Sequence, residues 1–201
     1  MKDALHVMID LETLGTASDA LILSIGAVKF RLDGNIYHPF FYRNISISDS
    51  LRLGCTVDHS TLDFWLRQPE DARKALSNPT RDPLFTVLTD FEDFYDNGGD
   101  TVKYVWSNGT DFDISILSNT YKKDQLKTPW FYTKARDYRT VIALAKDIKG
   151  YEKHPNYTES ILDDNYDNPG KVLYKKIKHN ALDDAIYQAH CLIEAYKLLS
   201  S

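Results

Sequence analysis

The sequence predicts an α/β domain: a mixed five-stranded sheet, its first three strands antiparallel, flanked by helices. Three observations carry this. Apolar or alternating runs joined by tight turns fill the chain up to Tyr42. From Thr61 the apolar residues recur at helical spacing. Beyond Val102 short apolar runs alternate with amphipathic stretches, the pattern of strands covered by helices. At 201 residues the chain is expected to form a single domain, 1–201, large enough for its own core.

Residues 4–12 read as the first strand, ending in Asp10-Leu11-Glu12. A polar turn over Gly15 to Asp19 leads to a second strand, Ala20 to Phe30. Leu32-Asp33-Gly34-Asn35 is a hairpin signal, and Ile36 to Tyr42 the third strand. Thr61 to Ser77 is helical in pattern and divided at Pro69, which suits the first turn of a second helix followed by Glu70 and Asp71. A further helix covers Leu84 to Tyr95 and stops at Asn97-Gly98-Gly99. Val102 to Trp106 is the fourth strand, Asp111 to Lys122 a helix, Trp130 to Thr133 the fifth strand and Tyr138 to Lys146 a helix. Residues 149–177 read as a long polar loop, and Asn180 to Leu199 as the closing helix.

Composition narrows the function classes. No apolar run approaches the length of a bilayer span, so no membrane partner is expected. The N-terminus lacks a signal-peptide pattern, and Cys55 and Cys191 form neither a disulfide framework nor a zinc motif, so the expected location is cytoplasmic. A net charge of −5 argues against a protein that coats nucleic acid through a broad basic surface. It leaves room for an enzyme that grips only a chain end, where bound cations supply positive charge.

The chemistry is carried by acids. Asp10 and Glu12 are two apart on a strand, so both project from one face. Such a pair is either a solvated strand end or half of a cation site. Two later helices offer further acids, and helical phase at about 100° per residue separates them. Asp113 falls in the apolar stripe of Ile114, Ile116, Leu117 and Tyr121, whereas Asp111 groups with Ser115, Ser118 and Lys122. In the last helix Asp184 lies at the edge of the face formed by Ala181, Ala185, Ala189 and Leu192. Asp183 groups with His190, Glu194 and Lys197 and is expected to look at water. His179 stands just before that helix. His6, His38, His59, His154 and His190 show no partner pattern and read as structural or solvated.

Asp10-Leu11-Glu12-Thr13, Asn108-Gly109-Thr110-Asp111-Phe112-Asp113 and His179-Asn180-Ala181-Leu182-Asp183-Asp184 together resemble the three motifs of the DEDDh branch of the 3′–5′ exonucleases, on the ribonuclease H-like fold. All five defining residues are present, in matching order and positions, across nearly the whole chain. Met8 to Thr16, Trp65-Leu66-Arg67-Gln68, Trp106-Ser107-Asn108-Gly109 and Arg136-Asp137-Tyr138-Arg139-Thr140 look like the subgroup containing the phage exodeoxyribonuclease A proteins and a mycobacterial-type poly(A)-trimming ribonuclease. The resemblance implies a small stand-alone exonuclease and, for the ribonuclease, a homodimer. For a phage-encoded protein the cytoplasm would be the host's.

It also implies hydrolysis of single-stranded DNA or RNA from the 3′ end with two divalent cations, Mg²⁺ or Mn²⁺. Asp10, Glu12 and Asp184 would hold one, Asp10 would bridge to the second, Asp113 would hold that second ion through water, and His179 would be the general base. Thr13, Leu14, Gly15, Asn108 and Phe112 are candidates for packing on the terminal nucleotide, and Arg136 and Arg139 for touching phosphates. Trp65 is either a base platform or a core residue. The competing readings are a catalytically inactive ribonuclease H-like binding module and a proofreading subunit.

Overall fold

The computed structural model describes residues 4–96, 101–153 and 179–201. Five strands form one sheet in the order β3-β2-β1-β4-β5: β1 (His6–Thr13), β2 (Ile22–Phe30), β3 (Ile36–Asn44), β4 (Tyr104–Ser107) and β5 (Ala135–Asp137). β1, β2 and β3 are successive antiparallel neighbours, while β4 pairs parallel with β1 and with β5. The mixed sheet with an antiparallel first half is as expected. Gly34 has φ 129° in the hairpin between β2 and β3, where the Arg31 N–H donates to Asn35 O at 2.8 Å.

The period of two along β1 divides the core. Val7, Ile9 and Leu11 pack with Leu84, Val87, Leu88 and Phe91 of α4 (Leu84–Asp96) and with Leu117 and Tyr121 of α5 (Ser115–Lys123). Met8 points the other way, against Ala185, Ala189 and Leu192 of α7 (Ala181–Leu199) and Tyr138 of α6 (Tyr138–Lys149). Asp10 and Glu12 follow Met8 on that second face and so meet α7.

Helix ends follow their local chemistry. The Asn180 side chain caps α7, accepting from the N–H groups of Leu182 at 3.0 Å and Asp183 at 3.3 Å. Asp137 caps α6, which ends at Gly150 with φ 68°. Pro69 sits at the cap position of α3 (Glu70–Ser77), just after α2 (His59–Leu66), so the break read at Pro69 is present.

Two expectations need correction. The fifth strand is Ala135–Asp137 rather than Trp130 to Thr133. Trp130 is instead a core plug against Phe91, Tyr95 and Tyr121, and Tyr132–Lys134 forms a 3₁₀ turn. The aromatic run looked strand-like, but only Ala135, Arg136 and Asp137 reach register with β4. A short helix, α1 (Ile47–Arg52), also lies between β3 and α2 and was not anticipated; Ser46 caps it through the Asp49 N–H. The expected stop at residues 97–99 lies outside the described residues, as does the loop read over 149–177 from His154 onward; Lys149 itself closes α6.

Candidate active site

Asp10 and Glu12 stand near the carboxyl end of β1. Asp113 is brought to them by a wide π-helical turn, Thr110–Ile114, placed directly after β4. Its Oδ1 accepts the Leu11 N–H at 3.1 Å, which ties the turn to β1 between the two strand acids. Gly109, with φ 116°, starts this turn; the Arg139 guanidinium lies against it where a Cβ would stand. Asp184 comes from the first turn of α7. His179, with φ 63°, precedes the cap residue. One ligand atom each from Glu12, His179 and Asp184 lies within 4.8 Å of the others.

The electrostatics match the crowding. Burial, and then the charges of Asp113, Glu12 and Asp184, hold Asp10 well above the usual carboxylate range. Burial followed by Asp184 and Asp113 pushes Glu12 up to about 8. Asp113, 3 % exposed, is pushed up to about 7 by burial against the opposing pull of the Leu11 N–H. Asp10, Glu12 and Asp113 so placed favour protonation, unless a cation neutralises them. The donor set is carboxylate oxygens with one imidazole, which suits hard divalent cations such as Mg²⁺ or Mn²⁺. These residues therefore fit such ions.

Beside the acids lies a cavity of about 380 Å³ whose walls include Glu12, Thr13, Gly15, Phe64 and Phe112. Phe64 is 43 % exposed and meets His179 edge-on at 5.2 Å between ring centroids. Nothing local in the sequence sets it apart from its neighbour Trp65. Trp65 is 1 % exposed, and its indole N–H donates to Thr13 O at 2.9 Å, so it supports the cavity from the core and is not a base platform. Residues one apart on a helix point about 100° apart; α2 turns Trp65 inward and leaves Phe64 at the opening.

The other candidates divide. Thr13 and Gly15 line the cavity, the Thr13 hydroxyl donating to Gly15 O at 2.7 Å. Leu14 is buried with Leu21, Leu23, Cys55 and Trp65, so its side chain serves the core and not the nucleotide pocket. Asn108 is exposed. Arg139 pairs with Asp111 at 2.6 Å, and Arg136 lies 3.9 Å from the Tyr104 ring centroid while donating to Thr133 O and Ala135 O. Both guanidiniums thus have partners within the protein.

Phase was right for one helix and half right for the other. Asp113 is buried and Asp111 exposed, as expected. Asp183, expected to look at water, is 2 % exposed. α7 packs on β1 and β2 on one side and on α6 on another, so its first turn has little solvent face. Asp183 is near enough to Tyr42 of β3 to help raise that phenol's pKa, behind burial and Glu12.

A half-buried acidic cluster with a histidine, at the carboxyl end of the first strand of such a sheet, defines an exonuclease-type domain on the ribonuclease H-like fold. A family model described as the 3′-5′ exoribonuclease Rv2179c-like domain matches residues 5–196, and the chain belongs to that family. No curated protein matches it. Among solved structures, E. coli exonuclease I in complex with a dA16 oligonucleotide is similar at TM-score 0.63 and 14 % identity, over 98 % of this chain and 42 % of that one. Cell-death related nuclease 4 (CRN-4) is similar at TM-score 0.63 and 14 % identity, over 98 % of this chain and 65 % of that one. The chain thus spans less than half of exonuclease I, and at these identities the likeness carries the fold.

Proposed function

We propose that this chain is a metal-dependent 3′–5′ exonuclease of the DEDDh type. It shortens single-stranded nucleic acid, RNA foremost, releasing nucleoside 5′-monophosphates. The observation that carries the reading is the convergence of Asp10, Glu12, Asp113 and Asp184, from three separate parts of the chain, beside His179. The family's description as exoribonuclease supports RNA. The similar exonuclease I bound to an oligonucleotide supports a single-stranded substrate.

Asp10, Glu12, Asp113 and Asp184 are the residues to hold two divalent cations. Bound there, such ions supply Lewis-acid stabilisation of charge on the scissile phosphate and acidify the attacking water. His179, beside Glu12 and Asp184, takes the water's proton as general base. Phe64 and Phe112 line the cavity beside the acids and offer ring faces to the terminal base, an interaction tolerant of sequence. Trp65 fixes the Thr13 carbonyl and with it the cavity floor.

The test is incubation with 3′-end and 5′-end labelled single-stranded RNA and DNA, with Mg²⁺, Mn²⁺ or EDTA. Stepwise loss from the 3′ end, abolished by EDTA and faster on RNA, is expected. Intact substrates under every metal condition would overturn the reading in favour of a binding module.

A further inference from the structure

Asp184 and Gln188 are four residues apart on α7, so their side chains share one row facing the sheet. Gln188 is 5 % exposed, and its Nε2 donates to Asp10 Oδ1 at 2.7 Å. Its other amide atom, Oε1, is buried with no hydrogen-bond partner among the described residues. With Asp10 ionised the amide can take only this orientation, because the reverse would set two acceptor oxygens against each other.

We propose that Gln188 is a positioning residue that holds the Asp10 carboxylate in place and thereby sets the affinity of the acidic cluster for divalent cations. The inference rests on the reading of that cluster as a cation site. Asp10 lies among three other acids, so its carboxylate is pushed to turn away from them. A donor held on one of its oxygens opposes that turn. An arginine or lysine would do so too, but its charge would compete with the cations. A neutral amide fixes the carboxylate plane, leaves Oδ2 available, and adds no charge. Partners of this kind, hydrogen-bonded to a metal-ligating group, are typically worth about 10–100-fold in metal affinity or activity.

The test is titration of the metal-stripped full chain with Mn²⁺ alone, reading free Mn²⁺ by electron paramagnetic resonance, for the parent, Gln188→Met and Asp10→Asn. Gln188→Met keeps the volume and loses the donor. It should bind Mn²⁺ about 10–100-fold more weakly. A cooperative melt in EDTA checks that it is folded, the lost donor to Asp10 being partly offset by removal of the unsatisfied amide oxygen. Its exonuclease rate should be low at limiting Mn²⁺ and recover as Mn²⁺ is raised, with KM for the oligonucleotide unchanged. Gln188→Leu provides the same measurement if the Met variant does not fold. Parent-like Mn²⁺ affinity in a folded variant, while Asp10→Asn has lost it, overturns the role of Gln188 alone. Failure of the parent to bind Mn²⁺, or parent-like binding by Asp10→Asn, overturns the cation site and this inference with it.

Discussion

Gly26 of β2 lies directly under the Ala181 backbone at the start of α7, with no side chain between sheet and helix. A Cβ on Gly26 would overlap the Ala181 carbonyl and the Leu182 N–H group. Gly26 is also the residue paired with Asp10 across β1 and β2. The close approach that a glycine permits is therefore what lets the first turn of α7 deliver Asp184 to the strand acids.

Gly26→Ala should accordingly damage the site and the fold together. The atoms it meets are backbone, which cannot swing aside, so α7 must move. Overpacking of this kind costs about 1–3 kcal/mol or more. A melting temperature several degrees lower and an exonuclease rate reduced about 100-fold or more are expected. A parent-like rate would show that α7 does not set the geometry.

Asp184→Asn should abolish measurable hydrolysis of labelled RNA, since an amide cannot replace the anionic oxygen beside Glu12 and His179. Asp183→Asn should retain activity within about 10-fold, because Asp183 lies towards Tyr42 and is no ligand candidate; its burial makes a stability change the expected effect. Loss of hydrolysis in both variants would remove the distinction.

His179→Ala should lower kcat by about 10²–10⁴-fold, the usual contribution of a general base. Oligonucleotide affinity, read by fluorescence anisotropy in Ca²⁺, should change little. An unchanged kcat would strip His179 of the proton-accepting role.

Phe64→Ala should raise KM for short oligonucleotides with a smaller effect on metal affinity. Base stacking on an aromatic ring is worth about 1–3 kcal/mol, or about 5–100-fold. Trp65→Ala should instead lower the melting temperature, as a buried side chain and its bond to Thr13 O are lost. Kinetics and thermal melts of the two variants distinguish the roles.

The acids also predict a pH dependence. A carboxyl whose folded pKa is raised stabilises the fold below its unfolded value, and that stability is lost as pH rises through the folded value. Glu12, raised to about 8, should make the metal-free protein less stable from pH 4.5 upward until about 8, by at most ~1.4 kcal/mol per pH unit. His6, lowered to about 4 by burial and Lys103, has the opposite slope below 6.5, so between 6.5 and 8 only the raised acids Glu12, Asp10 and Asp113 act, all in the same direction. Urea unfolding in EDTA should show the fall, Glu12→Gln should lessen it while Asp10 and Asp113 keep part of it, and saturating Mg²⁺ should reverse it. A flat profile for the parent in EDTA would contradict the raised Glu12.

Much of the site was legible because its signals are local. Alternation along a strand put Asp10 and Glu12 on one face, and the three motifs singled out Asp113, His179 and Asp184. What the reading missed depends on what lies opposite. Phe64 and Trp65 have similar local claims, and only the packing of α2 shows which ring is open to the cavity. The fifth strand slipped from Trp130–Thr133 to Ala135–Asp137 because pairing with β4, rather than aromatic content, selects the register.

The sequence by itself determined most of the elements and the motifs that mark the candidate acids, since periods of 2 and 3.6 and motif spacings are properties of neighbouring residues. Tertiary structure alone decided that Asp183 is buried, that Gly26 seats α7 against β2, and that Gln188 reaches Asp10 across 178 positions of chain. The reason is physical: a helix's rotation about its own axis, and its distance from a sheet, are set by side chains on the other element.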